Sequence, residues 1–413
     1  MHTPVGVKCR TCTGVKAGAP TSGAHVSAGA SRDAPVGTAA DRDRRKVWPG
    51  LLVGAGVLVL ALAGLARASH HSTPTAGEPV TGALGPTITE RTSEFVGAGG
   101  LHLGGTLTLP VATAGTQTNI PAVLIIPGLG AVDRDGVVVG GTPDATRDAV
   151  AGSLTVSALG STEPMFKDLS QALAKAGIAS FRYDKRGTAA SQMKPDQKLS
   201  FADEVTDAQA ALTFLSQRQE VGSAAIALLG HDQGGLVAMR AAAGNPRVKA
   251  LIAVSTPARP LSDVLAGDLT AARGATVGDE FRASVAALNA TGKVPAAGSL
   301  SPLIQPLFPA GQEGYLMSIL SIDPKAEAKA VTVPALVVRG GGDQSLTATD
   351  AADLAAAIGP TAEVMTGGAS TDRNLALPGP GHVHSNTVTA PTSNQDAELT
   401  GRLSAWILAK LHA

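Results

Sequence analysis

From residue 87 onward, short apolar runs alternate with stretches of helical periodicity. Thr87–Val96 and Leu101–Leu109 alternate polar and apolar residues around a glycine-rich turn, which predicts a β-hairpin. Strands alternating with helices predict an α/β fold with a mostly parallel sheet covered on both faces. The apolar runs that predict buried strands are Ala122–Ile126, Ile178–Tyr183, Ala224–Leu229, Val248–Val254, Ala335–Val338 and Ala362–Met365. The predicted helices are Met165–Ala176, Phe201–Arg218, Gln233–Ala243, Ala351–Ala357 and Asn394–Leu411.

Two long segments interrupt this alternation. Ala131–Glu163 follows the first predicted parallel strand, and Pro257–Ala330 separates two later strands by more than one crossover. Loops of such length in a compact domain are usually functional. Because Leu261–Leu269 and Asp279–Leu288 have helical periodicity, the second segment predicts a small helical cap over about residues 257–330.

The N-terminal region has a different composition. Residues 1–46 lack apolar periodicity and predict a disordered cytoplasmic tail, and residues 67–86 predict a linker to the domain at 87–413. Residues 47–66 carry no charge and are long enough for a transmembrane helix. The cationic residues at 42–46 favour a single-pass cell-membrane protein with its domain outside the cytoplasm. A cleaved signal peptide ending near Ala66-Arg67-Ala68 is the alternative, and the long segment before it favours an uncleaved signal anchor.

Charge and cysteine content exclude several classes of partner. Residues 47–413 hold 25 Lys and Arg against 30 Asp and Glu, which argues against nucleic-acid binding. The cysteines, Cys9 and Cys12, both precede the predicted anchor, and no second ligand pair accompanies them. We therefore expect no metal, no cofactor and no disulfide in the domain, and a small-molecule substrate as its partner.

The segment with the clearest chemistry is Ala227–Gly235. An apolar strand enters a Gly-x-nucleophile-x-Gly turn and leaves it as a helix, which is the pattern of a nucleophile elbow. Gly230 and Gly234 give this strained turn the small flanking residues that it needs. Asp232 stands at the apex, where most such turns carry serine, and His231 beside it is predicted to be structural.

The residues that would assist Asp232 follow in chain order. Asp343 ends a strand in a glycine-rich turn and is the predicted acid. Asp350 is the alternative, but it lies where we expect a helix N-cap. His382, after a glycine, is the predicted catalytic histidine, with His384 as its alternative.

Two backbone N–H groups are candidates for an oxyanion hole. Leu129 lies in the Pro-Gly-Leu-Gly turn after the first parallel strand, and Gln233 follows the apex of the elbow. An oxyanion hole beside a nucleophile elbow takes its hydrogen-bond donors from these two positions.

These motifs together resemble a known group. Pro127–Gly130 with Asp133–Gly136, Phe181–Gly187, the elbow, Tyr315–Lys325 and Gly381–Val383 are similar to bacterial α/β-hydrolases of the serine aminopeptidase/esterase-like type. The resemblance covers residues 87–413 and implies the α/β-hydrolase fold, with a nucleophile, Asp343, His382 and two oxyanion amides. The chain departs from the group at Asp232, where those relatives carry serine. We expect the charges of Phe181–Gly187 to tie down a strand end rather than to catalyse.

An aspartate at the elbow changes the chemistry that is available. With a reference pKa near 3.9 it is ionised at neutral pH, so it needs no base to attack. Attack on an ester carbonyl would give an anhydride that reverts, whereas attack on a saturated carbon gives a stable alkyl ester. Water activated by His382 would then hydrolyse that ester. The elbow resembles the Gly-His-Asp elbow of the haloalkane dehalogenases and epoxide hydrolases. Gln233 replaces the halide-binding tryptophan of the former, and Tyr183, on a strand, and Tyr315, near the cap, do not match the two cap tyrosines of the latter.

The sequence thus predicts a hydrolase that acts on a small ester-like or alkyl substrate through Asp232, Asp343 and His382. Two alternatives remain open. His382 and Asp343 activate water directly while Asp232 orients groups, or the protein is an inactive descendant that binds a ligand under its cap. An aromatic content of 3% favours a small or aliphatic ligand.

Overall fold

The computed structural model describes residues 88–110, 119–137, 164–194, 197–341, 343, 346–367 and 393–412. The predicted tail, anchor and linker lie outside these ranges, as do His382 and His384. Within the described ranges, no helix combines the length and the apolar character needed to cross a membrane.

The centre of the fold is an eight-stranded sheet with the strand order β1-β2-β4-β3-β5-β6-β7-β8. β2 pairs antiparallel with β1 and β4, and the strands from β3 to β8 pair parallel with one another. The predicted hairpin and mostly parallel sheet are confirmed. The strands are β1 Thr89–Val96, β2 His102–Leu109, β3 Ile120–Ile126, β4 Ala179–Tyr183, β5 Val221–His231, β6 Val248–Val254, β7 Ala335–Gly340 and β8 Ala362–Gly367.

The five helices predicted outside the cap are present, with ends that differ by up to three residues, whereas Glu313–Leu320 and Pro324–Ala328 were not predicted. In the described ranges the helices are α1 Met165–Lys175, α2 Phe201–Ser216, α3 Gln233–Ala242, α4 Leu261–Arg273, α5 Ala275–Thr291, α6 Glu313–Leu320, α7 Pro324–Ala328, α8 Ala348–Ile358 and α9 Ser393–Leu411. The helices predicted at 261–269 and 279–288 are present and longer than predicted.

Side chains that alternate along the parallel strands build two cores. In β3, Leu124 and Ile126 belong to the core on one face of the sheet, which also includes residues of α2, α3 and α8. Val123 and Ile125 pack with α1 and α9 on the other. Because both faces are covered, these strands are apolar at successive positions, which is why they could be located in the sequence.

The helices of the cap pack above the first of these cores. α4 meets α5 at Gly274, whose φ of 93° lies in the left-handed region that glycine tolerates. Leu269 of α4 and Phe281 of α5 are buried, and α6 packs against α4, α5 and α2. Through α6 the cap contacts α2, which carries Glu204, a residue of the candidate active site.

The prediction that Asp350 is a helix N-cap is wrong by three residues. α8 begins at Ala348, and the Thr347 hydroxyl accepts a hydrogen bond from the Asp350 N–H while the Asp350 carboxylate accepts one from the Thr347 N–H. This reciprocal pair is a capping box, so Asp350 occupies the third helical position. Its carboxylate also pairs with Arg259 at 2.7 Å. Both contacts give Asp350 a structural role.

Candidate active site

Asp232 lies between the end of β5 and the start of α3, in a strained conformation. Its φ of 52° and ψ of −124° are rare for a residue with a side chain. Its N–H donates to the Val254 carbonyl at 2.9 Å, and its own carbonyl accepts from Gly235 at 3.0 Å. The strand before it and the helix after it hold this strain, as a nucleophile elbow requires.

Glycines on both sides of the apex are required by close backbone approaches. A Cβ atom at Gly230 would lie 2.2 Å from the Gly234 carbonyl oxygen. A Cβ atom at Gly234 would lie 2.4 Å from the carbonyl oxygens of Ile126 and Pro127. Because these obstacles are backbone atoms, no rotamer change relieves the clash. The prediction that both flanking positions must be small is confirmed.

Replacing Gly234 with alanine should destabilise the protein by about 3 kcal/mol, at the upper end of the usual cost of overpacking, because the new methyl group displaces the backbone of β3. Urea unfolding followed by circular dichroism measures this change. Gly267→Ala in α4 is the matched control, since nothing lies within 4 Å of its Cβ position. The control should be neutral or stabilising, and equal losses in both variants would contradict the argument.

The structure brings the predicted oxyanion turn to the elbow. The Leu129 N–H donates to Asp232 Oδ2 at 3.1 Å. A Cβ atom at Gly128 would lie only 3.0 Å from the Asp232 Cβ, so this glycine permits the close approach. Gln233 is the first residue of α3, where a backbone N–H has no acceptor inside its own helix. The positive end of the helix dipole also favours an anion here.

Asp343 lies in the turn after β7, at the same edge of the sheet as Asp232. β6 separates β7 from β5, and the parallel strands all end at this edge. The buried Asp343 carboxylate accepts from the Leu346 N–H at 3.0 Å, and Arg339 donates to the Asp343 carbonyl at 3.1 Å. Its predicted partner His382 lies outside the described residues, so the pairing of acid and histidine stays a prediction.

A cavity of about 450 Å³ lies between the cap and the oxyanion turn. Its wall is mostly aliphatic and includes Leu129, Leu265, Leu269, Leu316 and Ile319. Leu129 both lines this cavity and donates to Asp232, so it joins the cavity to the elbow. Cavities of this size and composition bind small molecules. In the part of the chain that the structure describes, no group of three or more His, Cys, Asp or Glu side chains is placed to hold a metal ion.

A buried polar network at the end of this cavity was missed by the sequence analysis. Lys185 Nζ donates to the Gly128 carbonyl at 2.9 Å and lies 3.1 Å from Glu204 Oε1. The Gln233 side chain donates to Glu204 Oε2 at 2.8 Å, and the Tyr315 hydroxyl donates to Oε1 at 3.2 Å. Burial raises the pKa of Tyr315 well above its ordinary value, and the Glu204 charge raises it further. Tyr315 therefore remains a hydrogen-bond donor.

The charged residues of Phe181–Gly187 hold the end of β4 in place, as predicted. Arg182 pairs with Asp135 at 2.8 Å, and Asp184 accepts from the backbone and side chain of Arg134. These pairs fix the turn that follows β3 against the end of β4. The contact from the neighbouring Lys185 to the oxyanion turn goes beyond that prediction.

Comparisons with known proteins agree with this architecture. A model of the family "Serine aminopeptidase, S33" matches residues 154–281. Esterase EstD from Thermotoga maritima is 26% identical over 187 residues, which make up 45% of this chain and 43% of that esterase. A hypothetical protein from Pseudomonas aeruginosa aligns with a TM-score of 0.51 at 14% identity, over 78% of this chain and 94% of its own.

The match to the solved structure supports the fold alone. The two sequence matches indicate similarity to hydrolases. The strand order, the strained elbow after β5 and the helices on both faces agree with them. The matching family is named for serine aminopeptidases, whereas this chain has aspartate at the apex. The chain has an α/β-hydrolase fold, and its sequence is similar to a serine aminopeptidase family and to an esterase.

Proposed function

We propose that this protein is a hydrolase that cleaves an aliphatic alkyl substrate through a covalent intermediate on Asp232. His382 and Asp343 act in the second step, and residues 47–66 anchor the enzyme in the cell membrane with its domain outside the cytoplasm. The observation that carries the enzymatic proposal is the contact between the Leu129 N–H and Asp232 Oδ2. This contact favours hydrolysis of an ester formed on Asp232 over transfer of an acyl group from the substrate.

The Leu129 N–H is already engaged by the carboxylate of the elbow residue. In an acyl-transfer enzyme this donor would receive the oxygen of the substrate carbonyl. Here the oxygen that occupies the donor belongs to Asp232 itself. The arrangement therefore suits a reaction in which negative charge develops on Oδ2, which happens when an ester of Asp232 is hydrolysed.

In the first step, Oδ1 of Asp232 attacks a saturated carbon of the substrate. A bond forms between Oδ1 and that carbon, and the bond from carbon to the leaving group breaks. A halide departs with the bonding electron pair as the anion, whereas the oxygen of an opened epoxide stays on the neighbouring carbon and takes a proton from water to become a hydroxyl group. The carboxylate becomes an alkyl ester, while Oδ2 keeps its hydrogen bond from Leu129.

In the second step, His382 removes a proton from water, and the water oxygen attacks Cγ of Asp232. The electron pair of the carbonyl moves to Oδ2, where the N–H groups of Leu129 and Gln233 stabilise the oxyanion. Collapse breaks the bond between Cγ and Oδ1, and the departing alcohol takes the proton from His382. Asp343 stabilises the imidazolium that exists between these two transfers.

The cavity indicates the kind of alkyl group that would be cleaved. Leucine and isoleucine side chains of α4 and α6 dominate its wall, and aromatic residues are few. An aliphatic chain would bury apolar surface there at about 25 cal/mol per Å². We therefore propose aliphatic halides, epoxides or comparable alkyl compounds as substrates.

A single turnover in heavy-oxygen water tests the proposal. With enzyme in excess over substrate, mass spectrometry should find one heavy oxygen in the peptide that contains Asp232, because the water oxygen enters the carboxylate. The product alcohol should carry none, since its oxygen comes from Asp232. A labelled alcohol with an unlabelled Asp232 would instead mean that His382 and Asp343 direct water at the substrate.

A ligand-binding protein without activity is the second candidate. Two observations favour it: Asp232 fills the hydrogen-bond site of the oxyanion turn, and it is absent from the residues that line the cavity. Binding and turnover assays with a panel of aliphatic halides, epoxides and esters separate the two candidates. Binding of an aliphatic compound with no turnover of any member would support the binding protein.

A further inference from the structure

The peptide unit between Gly128 and Leu129 is held at both of its polar ends. Its N–H donates to Asp232 Oδ2 at 3.1 Å, and its carbonyl accepts from Lys185 Nζ at 2.9 Å. Because the unit is planar and trans, its carbonyl and N–H point in opposite directions. Lys185 therefore binds the carbonyl of the unit, which points away from the elbow.

We propose that Lys185 and Glu204 are positioning residues that orient and polarise the oxyanion peptide. The proposal rests on the function proposed above, since it assigns these residues to the hydrolysis of the Asp232 ester. Neither side chain touches the reacting atoms in this scheme. They act through the Gly128–Leu129 unit, which would otherwise rotate about its flanking glycine backbone.

The Lys185 ammonium contributes orientation and charge. A flip of the peptide would replace the Leu129 N–H by the Gly128 carbonyl, and two oxygens would then face each other at the elbow. The hydrogen bond from Lys185 opposes that flip, because the carbonyl would lose a charged donor in a buried site. An ammonium on the carbonyl also polarises the unit and strengthens its N–H as a donor.

Glu204 extends this control to the other oxyanion residue and to the cap. It holds the Lys185 ammonium, accepts from the Gln233 side chain and accepts from Tyr315 of α6. The backbone N–H of Gln233 is the second predicted donor. One buried carboxylate therefore fixes Leu129 through Lys185, and Gln233 directly.

The same two elements supply a second ion pair that serves as an internal comparison. Arg186 follows Lys185 and pairs with Asp207, which lies one turn after Glu204 on α2. The side chains of Lys185 and Glu204 are 9% and 6% exposed, and those of Arg186 and Asp207 are 4% and 2% exposed. Asp207 accepts from the N–H of Ala98, which lies in the turn of the hairpin between β1 and β2. The second pair is thus at least as buried, but its described hydrogen bonds do not reach the oxyanion turn.

The experiment compares Glu204→Gln with Asp207→Asn in the full-length protein. Labelling glycine with ¹³C at the carbonyl and leucine with ¹⁵N restricts the NMR spectrum to the five Gly–Leu peptides of the chain, one of which is Gly128–Leu129. Glu204→Gln should move the Leu129 amide resonance and raise its hydrogen-exchange rate at least tenfold. Asp207→Asn should leave both unchanged. Lys185→Met should reproduce the effect of Glu204→Gln, which keeps the test available if one variant fails to fold.

Kinetics supply the second readout. Glu204→Gln should lower kcat by about 10- to 100-fold with little change in KM, somewhat less than the loss of a whole oxyanion donor. Asp207→Asn should leave kcat within about twofold. A response of Leu129 that is equal in the two variants, or absent in both Glu204→Gln and Lys185→Met, would overturn the proposal. Because the NMR measurement needs no substrate, an altered Leu129 in a protein that hydrolyses nothing would refute the proposed function and leave the positioning intact.

Discussion

Replacing Asp232 with asparagine is expected to lower turnover of an aliphatic alkyl substrate by about 10⁴- to 10⁶-fold, the scale on which removal of a nucleophile acts. The amide keeps the size of the carboxylate and can still accept from the Leu129 N–H. It does not attack a saturated carbon, because the amide oxygen carries no full negative charge. Steady-state kinetics on halides and epoxides measure the loss. The cavity lining does not include Asp232, so the affinity for an aliphatic ligand should change little.

Asp232→Ser should produce a different enzyme rather than an inactive one. A serine leaves the Leu129 N–H to the substrate, so the oxyanion of an acyl substrate gains a donor and His382 gains a hydroxyl to deprotonate. We expect this variant to hydrolyse short aliphatic esters that the parent hydrolyses poorly.

An Asp232→Asn variant that retains more than a tenth of the activity would contradict covalent catalysis and support direct activation of water by His382.

The fold was largely predictable because its sheet is buried on both faces. β6 was predicted as Val248–Val254, which are its observed bounds, since apolar residues occupy most of its positions. Helix ends were harder to predict. The apolar periodicity of α8 becomes evident at Ala351, but the helix begins earlier because Thr347 and Asp350 cap each other. Side chains that satisfy the first N–H groups carry no periodic signal.

One part of the candidate site could be predicted from neighbouring residues in the sequence. The other part depends on contacts between residues that are far apart in the chain. The elbow and the oxyanion turn are encoded by neighbouring glycines, so the approach of Leu129 to Asp232 could be predicted. The contacts of Lys185 could not, because Glu204 lies on another element and only the packing of α2 against the sheet brings them together. The resemblance to serine enzymes drew attention to the motif around Lys185. It gave no reason to expect an ammonium on the Gly128 carbonyl.

His382→Gln is expected to stop the reaction after its first step. Without a base, attack of water on the Asp232 ester should slow by about 10²- to 10⁴-fold, whereas alkylation of Asp232 needs no base and should proceed. The variant should release one equivalent of leaving group per enzyme and then stall. Mass spectrometry of the intact protein should show the added alkyl group, and digestion should place it on the peptide that contains Asp232.

His384→Gln is the matched control, because it removes the other histidine of the same motif. It should turn over as the parent does and accumulate no adduct. An adduct in this variant and none in His382→Gln would reassign the base to His384 and keep the two-step scheme. The absence of an adduct from both, in proteins whose unfolding midpoints match the parent, would exclude an alkyl ester on Asp232. The carboxylate in the oxyanion turn would then fill that site without reacting, which is the arrangement expected of a binding protein.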